Sequence, residues 1–264
     1  MESKTMARSI LITGGGSGIG RATAQLFAAR GWRIGLADVD AAGLAATAAL
    51  LPAGAETFVM DVRDRDGWAR TLADFCGEGG ALDMLFNNAG VPAGGPLAQT
   101  GGDEIDRVIA INLVGVIDGA RLAYPYLARA KDACLLNTAS AAGIYGGPGM
   151  AIYGATKAGV RSLTETLDAE WAADGIRVRA LMPGFIETPL LNATLTGSNA
   201  TVRERVTAAG LEFTPVEQVA EAAWAAAHGE RLLWPVGKTA RRLTFAARWL
   251  PGRLRAQMRR TGMR

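Results

Sequence analysis

Residues 9–31 read SILITGGGSGIGRATAQLFAARG. The run 9–13 is short and apolar, as a buried strand requires, and residues 22–30 place apolar side chains at helical spacing. Between them stands Thr13-Gly14-x-x-x-Gly18-Ile19-Gly20. Glycine lacks a Cβ, so the chain can turn sharply from strand to helix and bring its backbone close to a ligand. The first N–H groups of a helix have no intrahelical partner and carry partial positive charge, so this turn predicts a seat for a pyrophosphate. Three residues separate the first two glycines, against one in the G-x-G-x-x-G fingerprint, and a glycine turn alone also fits a plain connection.

The rest of the chain repeats the alternation. Apolar runs at 33–37, 56–60, 84–87, 133–138, 177–182 and 232–236 are separated by segments long enough for crossover helices. Near-continuous apolar strands mark a parallel sheet covered on both faces. The prediction is therefore an α/β protein: a single-domain, doubly wound, Rossmann-like parallel sheet of about seven strands with helices on both faces. Thr214-Pro215-Val216-Glu217 reads as a capping box with proline at the first helical position, opening a helix that Gly229 ends. One domain, 1–237, with a long loop at about 185–213, is followed by a basic extension, 238–264.

Composition narrows the class. The 264 residues are 49% hydrophobic and 20% charged, as in a globular protein with a well-filled core. The first residues enter the first strand directly, predicting no signal or transit segment, and no uninterrupted apolar stretch reaches membrane-spanning length. Cys76 and Cys134 are too few for a disulfide framework and lack metal-ligand spacing, which predicts a reducing, cytoplasmic setting and no metal. Cys134 opens an apolar strand and reads as a small buried hydrophobe. His228, the single histidine, precedes Gly229 and reads as a helix-terminal residue rather than part of a triad.

Tyr153 and Lys157 lie four residues apart in MAIYGATKAGVRSLTETLDAEW, which puts a phenol and an ammonium on one helix face. A nearby positive charge favours the phenolate, so Tyr153 is expected to have a lowered pKa and to serve as general acid or base. Ser140 lies thirteen residues upstream, at the end of an apolar run.

Taken together, Thr13-Gly-x-x-x-Gly-Ile-Gly20, Asn87-Asn88-Ala89-Gly90, Asn112, Ser140, Tyr153-x-x-x-Lys157 and Pro183-Gly184 resemble the short-chain dehydrogenase/reductase family, over about residues 7–237. The resemblance implies a nicotinamide cofactor on the turn Gly14, Ser17, Gly18, Ile19 and Gly20. Asp61 and Val62 would touch the adenine, and Asn87 and Gly90 would border the adenosine and stabilise the sheet, with Asn88 and Ala89 serving backbone geometry. Ile186 and Thr188, after Pro183-Gly184, would meet the carboxamide, although Thr188 also suits a helix cap. Tyr153 would exchange the proton, Lys157 would lower its pKa and bind the nicotinamide ribose, Ser140 would steady the substrate oxygen, and Asn112 would hold a water behind Lys157. Asp38 ends the second strand eighteen residues past Gly20. A carboxylate there can accept from both ribose hydroxyls and repels a 2′-phosphate, and Ser17 and Val39 stand where NADP-dependent relatives usually carry a basic residue. NAD is favoured over NADP.

Ala142, Ile144, Tyr145, Met150, Phe185, Leu190, Leu191 and Leu195 are the candidate substrate wall, none of them charged, so a small apolar alcohol or ketone is expected. The small polar stretch 192–200 reads as a mobile lid. The resulting activity is that of a short-chain alcohol dehydrogenase or ketone reductase; a 3-oxoacyl thioester reductase and a non-catalytic NAD-binding regulator are the alternatives. The family resemblance implies a homodimer or homotetramer.

The C-terminal end stands apart. Residues 231–264 hold ten Lys/Arg and no Asp/Glu, leaving the first 230 with 18 basic and 25 acidic groups. Leu243, Ala246, Ala247 and Leu250 recur at helical spacing, with Phe245 and Trp249 nearby, before Pro251-Gly252. Packing on its own domain or a sister subunit is one reading, and peripheral membrane contact is the other. Nucleic acid is not an expected partner, because the remaining chain is acidic and carries no recognition motif.

Overall fold

Every residue of the strand Ser9–Thr13 (β1) is buried, because the strand lies mid-sheet with helices on both faces. Successive side chains of a strand point to opposite faces. Accordingly Ile10 and Ile12 join Phe27, Leu44 and Phe86 in one core, while Leu11 joins Trp68, Phe75 and Leu135 in another. The computed structural model describes residues 7–194, 196, 197 and 200–261. After β1 come α1 (Gly18–Ala29), β2 (Arg33–Asp38), α2 (Ala41–Ala48), β3 (Glu56–Val59), α3 (Arg65–Cys76) and β4 (Met84–Asn87). The second half comprises α4 (Gly102–Ile109), α5 (Gly115–Leu127), β5 (Cys134–Thr138), α6 (Ala151–Glu170), β6 (Arg177–Pro183), α7 (Val202–Ala208), α8 (Val216–His228) and β7 (Leu233–Val236). Two helices close the chain, α9 (Lys238–Trp249) and α10 (Pro251–Thr261).

The seven strands are parallel and ordered β3-β2-β1-β4-β5-β6-β7. The order reverses between β1 and β4, and such a reversal opens a crevice at the strands' C-terminal ends. The two edges are less apolar than the runs imply. Val59 on β3 is exposed, and β7 carries Pro235, which an edge strand tolerates because one side of its backbone needs no partner.

Several local expectations are corrected. The first helix begins at Gly18 rather than 22, so its free N–H groups lie inside the glycine turn. The capping box at 214–217 does not form: Pro215 occupies the cap position without a side-chain bond. Thr214 is instead drawn into a bridge with the segment after β6, its N–H donating to Phe185 and its carbonyl accepting from Glu187. A capping box does form at Thr201 and Glu204, where α7 starts. Pro251-Gly252 opens a second helix instead of merely ending the first. The helix running from Gly102 to Leu127 is long and apolar enough to cross a membrane by length and composition, although Asp118 and Arg121 interrupt its apolar run. Its inner face fills the domain: Val108, Val116, Ala120, Ala123 and Leu127 are buried, and Asp118 is paired with Arg65 and Arg121. Cys134 is buried as expected, its thiol pushed up to about 12 by desolvation. His228 ends α8, its Nδ1 donating to the Trp224 carbonyl.

Candidate active site

The crevice is a cleft of about 700 Å³ bounded by the segments that follow β1, β2, β4, β5 and β6. At its β1 corner, Gly14 adopts φ +68, and a Cβ there would lie 2.9 Å from Asn88 Nδ2 and 3.0 Å from Ala89 Cα. Glycine is required on both counts. Ser17 caps α1 with its hydroxyl making no cap bond. Gly14, Ser17, Gly18 and Ile19 line the cleft, but Gly20 does not: it packs beneath the turn, where a Cβ would meet the Gly14 carbonyl at 2.1 Å. The last glycine thus lets the helix close against the turn and makes no wall for a ligand.

Asp38 closes the β2 side. Its Oδ2 accepts from the Gly16 N–H at 2.9 Å and its Oδ1 from the Asp40 N–H at 3.1 Å, which fixes the carboxylate at the cleft edge. Asp61, Val62 and Arg63 follow β3 into the same cleft. The Arg63 guanidinium grips Asp61 and holds that carboxyl below the usual range. Arg21 is spent on the Gly16 carbonyl and Thr47 Oγ1. Neither arginine on this side of the molecule therefore offers a free guanidinium.

After β4 the roles of the asparagines divide. Asn87 is buried off the cleft, donating to the Val116 carbonyl and to Asn137 Oδ1, each at 3.1 Å, and Asn137 continues to Thr164. It ties the sheet to its helices, as the resemblance implies, but lines no part of the cleft, against the expectation that it borders a ligand. Asn88, Ala89 and Gly90 do line the cleft. Thr13 Oγ1 accepts from the Asn88 and Ala89 N–H groups, and Asn88 Nδ2 donates back to the Thr13 carbonyl at 3.1 Å, locking the β1 and β4 ends together.

Ser140, Tyr153 and Lys157 converge at the β5 side. Lys157 is buried, its Nζ donating to the Thr138 carbonyl at 2.8 Å and lying 5.8 Å from the Tyr153 ring centre. Ser140 Oγ accepts from the Ala142 N–H at 3.1 Å, which leaves its own hydrogen for Tyr153. The expected lowering of the phenol is not found. Burial raises Tyr153, and the hydrogen bond from Ser140 only partly opposes it. Burial likewise lowers Lys157 to about 8, since the charged ammonium is the form that loses solvation.

Asn112 sits in a π-turn, residues 110–114, that joins α4 to α5. Its amide clamps Val91 by both backbone groups, Oδ1 accepting from the N–H and Nδ2 donating to the carbonyl, each at 2.8 Å. A Cβ on Gly90 would lie 3.2 Å from Asn112 Oδ1 and 3.6 Å from Lys157 Nζ, so glycine lets these groups gather. This clamp is a structural duty beside the water-holding one implied by resemblance.

Pro183, Gly184, Phe185, Ile186, Thr188, Leu190 and Leu191 line the cleft after β6. Thr188 stands at a helix-cap position without a cap bond, its hydroxyl donating to the Ile186 carbonyl at 3.3 Å. Met150 reaches the cleft, but Ala142, Ile144 and Tyr145 do not, because the turn after Ser140 carries them away from it. Leu195 lies outside the described residues. The lid segment is tied down where described: Thr196 donates from its N–H to the Gly94 carbonyl and from its hydroxyl to Glu104 on α4. Arg107 on α4 and Arg205 on α7 also line the cleft, so its wall is not uncharged. Their spacing carries no motif, and only the folding of α4 and α7 over the crevice brings them there.

The short chain dehydrogenase family model matches residues 8–199. The chain belongs to the short-chain dehydrogenase family. It is accordingly an oxidoreductase of that family. It is 38% identical over 183 residues to a 3-oxoacyl-[acyl-carrier-protein] reductase of Thermotoga maritima, covering 68% of this chain and 74% of that one. It is 37% identical over 194 residues to a levodione reductase of Leifsonia aquatica, covering 71% and 73%. A short-chain dehydrogenase from Burkholderia phymatum, solved in complex with NAD, superposes with a TM-score of 0.82 at 30% identity over 95% of each chain.

Lys157 makes the short-chain dehydrogenase site sensitive to pH. Between about 8 and 10.5 the folded lysine binds fewer protons than the unfolded one, so stability rises with pH across that window. Tyr153, raised from its ordinary value of 10.0, acts in the opposite sense from about pH 10 upward. Relative to Lys157→Met, wild type is expected to gain about 2 kcal/mol between pH ~7 and ~10. Urea unfolding at the two pH values measures this, and a constant difference would show that Nζ is not desolvated.

Proposed function

We propose that this protein is an NAD-dependent oxidoreductase that moves a hydride between nicotinamide and an apolar secondary alcohol or ketone, with Tyr153 as general acid/base. The observation that carries the reading is the shared cleft: the Gly14 turn and Asp38 stand at one side, and Ser140, Tyr153 and Lys157 at the other. The residues suit a dinucleotide, since Gly14 leaves backbone open to a pyrophosphate and the fixed Asp38 carboxylate suits two ribose hydroxyls. When bound, the cofactor supplies the hydride chemistry. The protein's share is position and charge. In the direction of reduction Tyr153, held protonated by burial, gives its proton to the carbonyl oxygen, and Ser140 donates a hydrogen bond as charge develops there. Lys157, fixed by Thr138, presents its cationic form beside the phenol. The unpaired thiols of Cys76 and Cys134 support a cytoplasmic setting, and the family supports a homodimer or homotetramer.

A 3-oxoacyl thioester reductase is the second reading, favoured by one observation. Arg107 and Arg205 line the cleft, and neither side chain has an ion pair or hydrogen bond among the described residues. They suit an anionic group on an otherwise apolar substrate. NADH consumption measured across apolar ketones and 3-oxoacyl thioesters separates the two readings. Cofactor binding without turnover on any of them would favour the non-catalytic alternative.

Cofactor choice has its own test. Asp38→Ala with Val39→Arg is expected to move kcat/KM toward NADP by roughly tenfold or more, by removing a repulsion and adding a phosphate partner. A wild type that already prefers NADP would overturn the assignment of Asp38.

A further inference from the structure

The sheet ends at Val236, and two basic helices follow. α9 is anchored at its start. Ala240 is fully buried, a Cβ on Gly184 would meet Thr239 at 3.6 Å, and Glu212 Oε1 accepts from the Lys238 and Thr239 N–H groups. α10 is held through the buried Leu254. The outer surface of this pair is different. Phe245 is 59% exposed and Trp249 63%, and they stand one helical turn apart, followed by Leu250 at 38%. Arg241 and Arg242 stand one helical turn before Phe245 and are exposed, and the Arg248 guanidinium lies 5.3 Å from the Trp249 ring centre. Arg253, Arg255, Arg259 and Arg260 extend the charge along α10, all exposed. Among the described residues none of these seven arginines forms an ion pair, although the body of the chain is acidic.

We propose that this helical pair docks reversibly on an anionic lipid surface, through the Phe245 and Trp249 rings and the arginines around them. Aromatic rings settle at the headgroup level of a bilayer, arginine stems lie along apolar surface while their heads stay at the phosphates, and four to eight basic groups on an amphipathic helix match an anionic leaflet. A second copy of the chain fits less well. Protein interfaces exclude charge from their centre, whereas here the Arg248 guanidinium lies over the Trp249 ring, Arg241 and Arg242 stand one helical turn before Phe245, and no acidic residue occurs from 231 onward. Because Glu212 joins the substrate loop to the start of α9, docking brings that loop to the lipid.

Co-sedimentation of the full-length protein with vesicles of phosphatidylcholine alone and of phosphatidylcholine mixed with phosphatidylglycerol tests this, at low and high salt. Binding is expected only to the mixed vesicles, and high salt is expected to release it. F245A/W249A is expected to weaken it roughly tenfold or more. R241Q/R242Q/R248Q is expected to weaken it roughly a hundredfold, about fivefold for each arginine. Both variants alter exposed side chains, so oligomer size and turnover of a water-soluble ketone should not change. The proposal fails if mixed vesicles bind nothing, or if neutral vesicles bind equally. It also fails if the variants change only the oligomeric state, which would assign the surface to a second copy, or if duplex DNA binds while vesicles do not.

Discussion

Tyr153→Phe is expected to bind NAD almost as wild type does and to lose roughly 10²–10⁴-fold in turnover, the usual contribution of a positioned proton donor. The substitution removes one oxygen at the β5 side of the cleft. Gly14, Asp38 and the 88–90 segment, the proposed NAD contacts, stay in place. Lys157→Ala should behave differently. It takes away the cation beside the phenol and the Nζ bond to the Thr138 carbonyl, and that carbonyl lies at the end of β5. Turnover and cofactor affinity should both fall. Single-turnover rates with isothermal titration of NAD separate the cases. Robust turnover by the phenylalanine variant would refute the assignment of Tyr153 as proton donor.

The second large effect is on stability. Trp68 is fully buried, and its Nε1 donates to the Val62 carbonyl at 3.0 Å. Two glycines one turn apart on α5 make room for this arrangement. A Cβ on Gly119 would approach the Trp68 ring at 2.7 Å, and one on Gly115 would meet Val62 Cγ2 at 2.9 Å. Trp68→Ala is therefore expected to cost about 3–5 kcal/mol, because the rigid helix cannot collapse into the space left. Val62 lines the cleft, so NAD affinity should also weaken. Trp68→Phe, which keeps most of the packing and loses the hydrogen bond, should cost less. Urea unfolding of the three proteins gives the order, and an alanine variant within about 1 kcal/mol of wild type would show that this face of the core is loosely packed.

Helix and strand periodicity was legible because a parallel sheet imposes it locally: each interior strand must be apolar on both faces, and each crossover must be amphipathic. The strand boundaries read from the apolar runs accordingly lie within about a residue of those observed. The glycine turn was legible because its chemistry is backbone chemistry. Caps were less so, since a cap depends on where the neighbouring segment goes. Thr214 has cap chemistry, but its backbone pairs with the segment after β6 and α8 starts beyond it, at Val216; Thr201 bridges Thr194 as well, yet α7 starts directly after it and its hydroxyl and N–H make the box with Glu204.

The sequence by itself determined the fold class, the strand order's raw material and the residues able to handle a proton and a pyrophosphate, because those follow from local spacing and side-chain type. Only the tertiary structure decided how they act on one another. It placed Gly20 under the turn and Asn87 inside the sheet, where close packing leaves no room for a ligand. It buried Lys157 and left Tyr153 half-buried beside it, so that desolvation rather than mutual charge sets the direction of each pKa. It also carried Arg107 and Arg205 from separate helices to one cleft and left Phe245 and Trp249 facing outward, outcomes of long-range packing that no local spacing encodes.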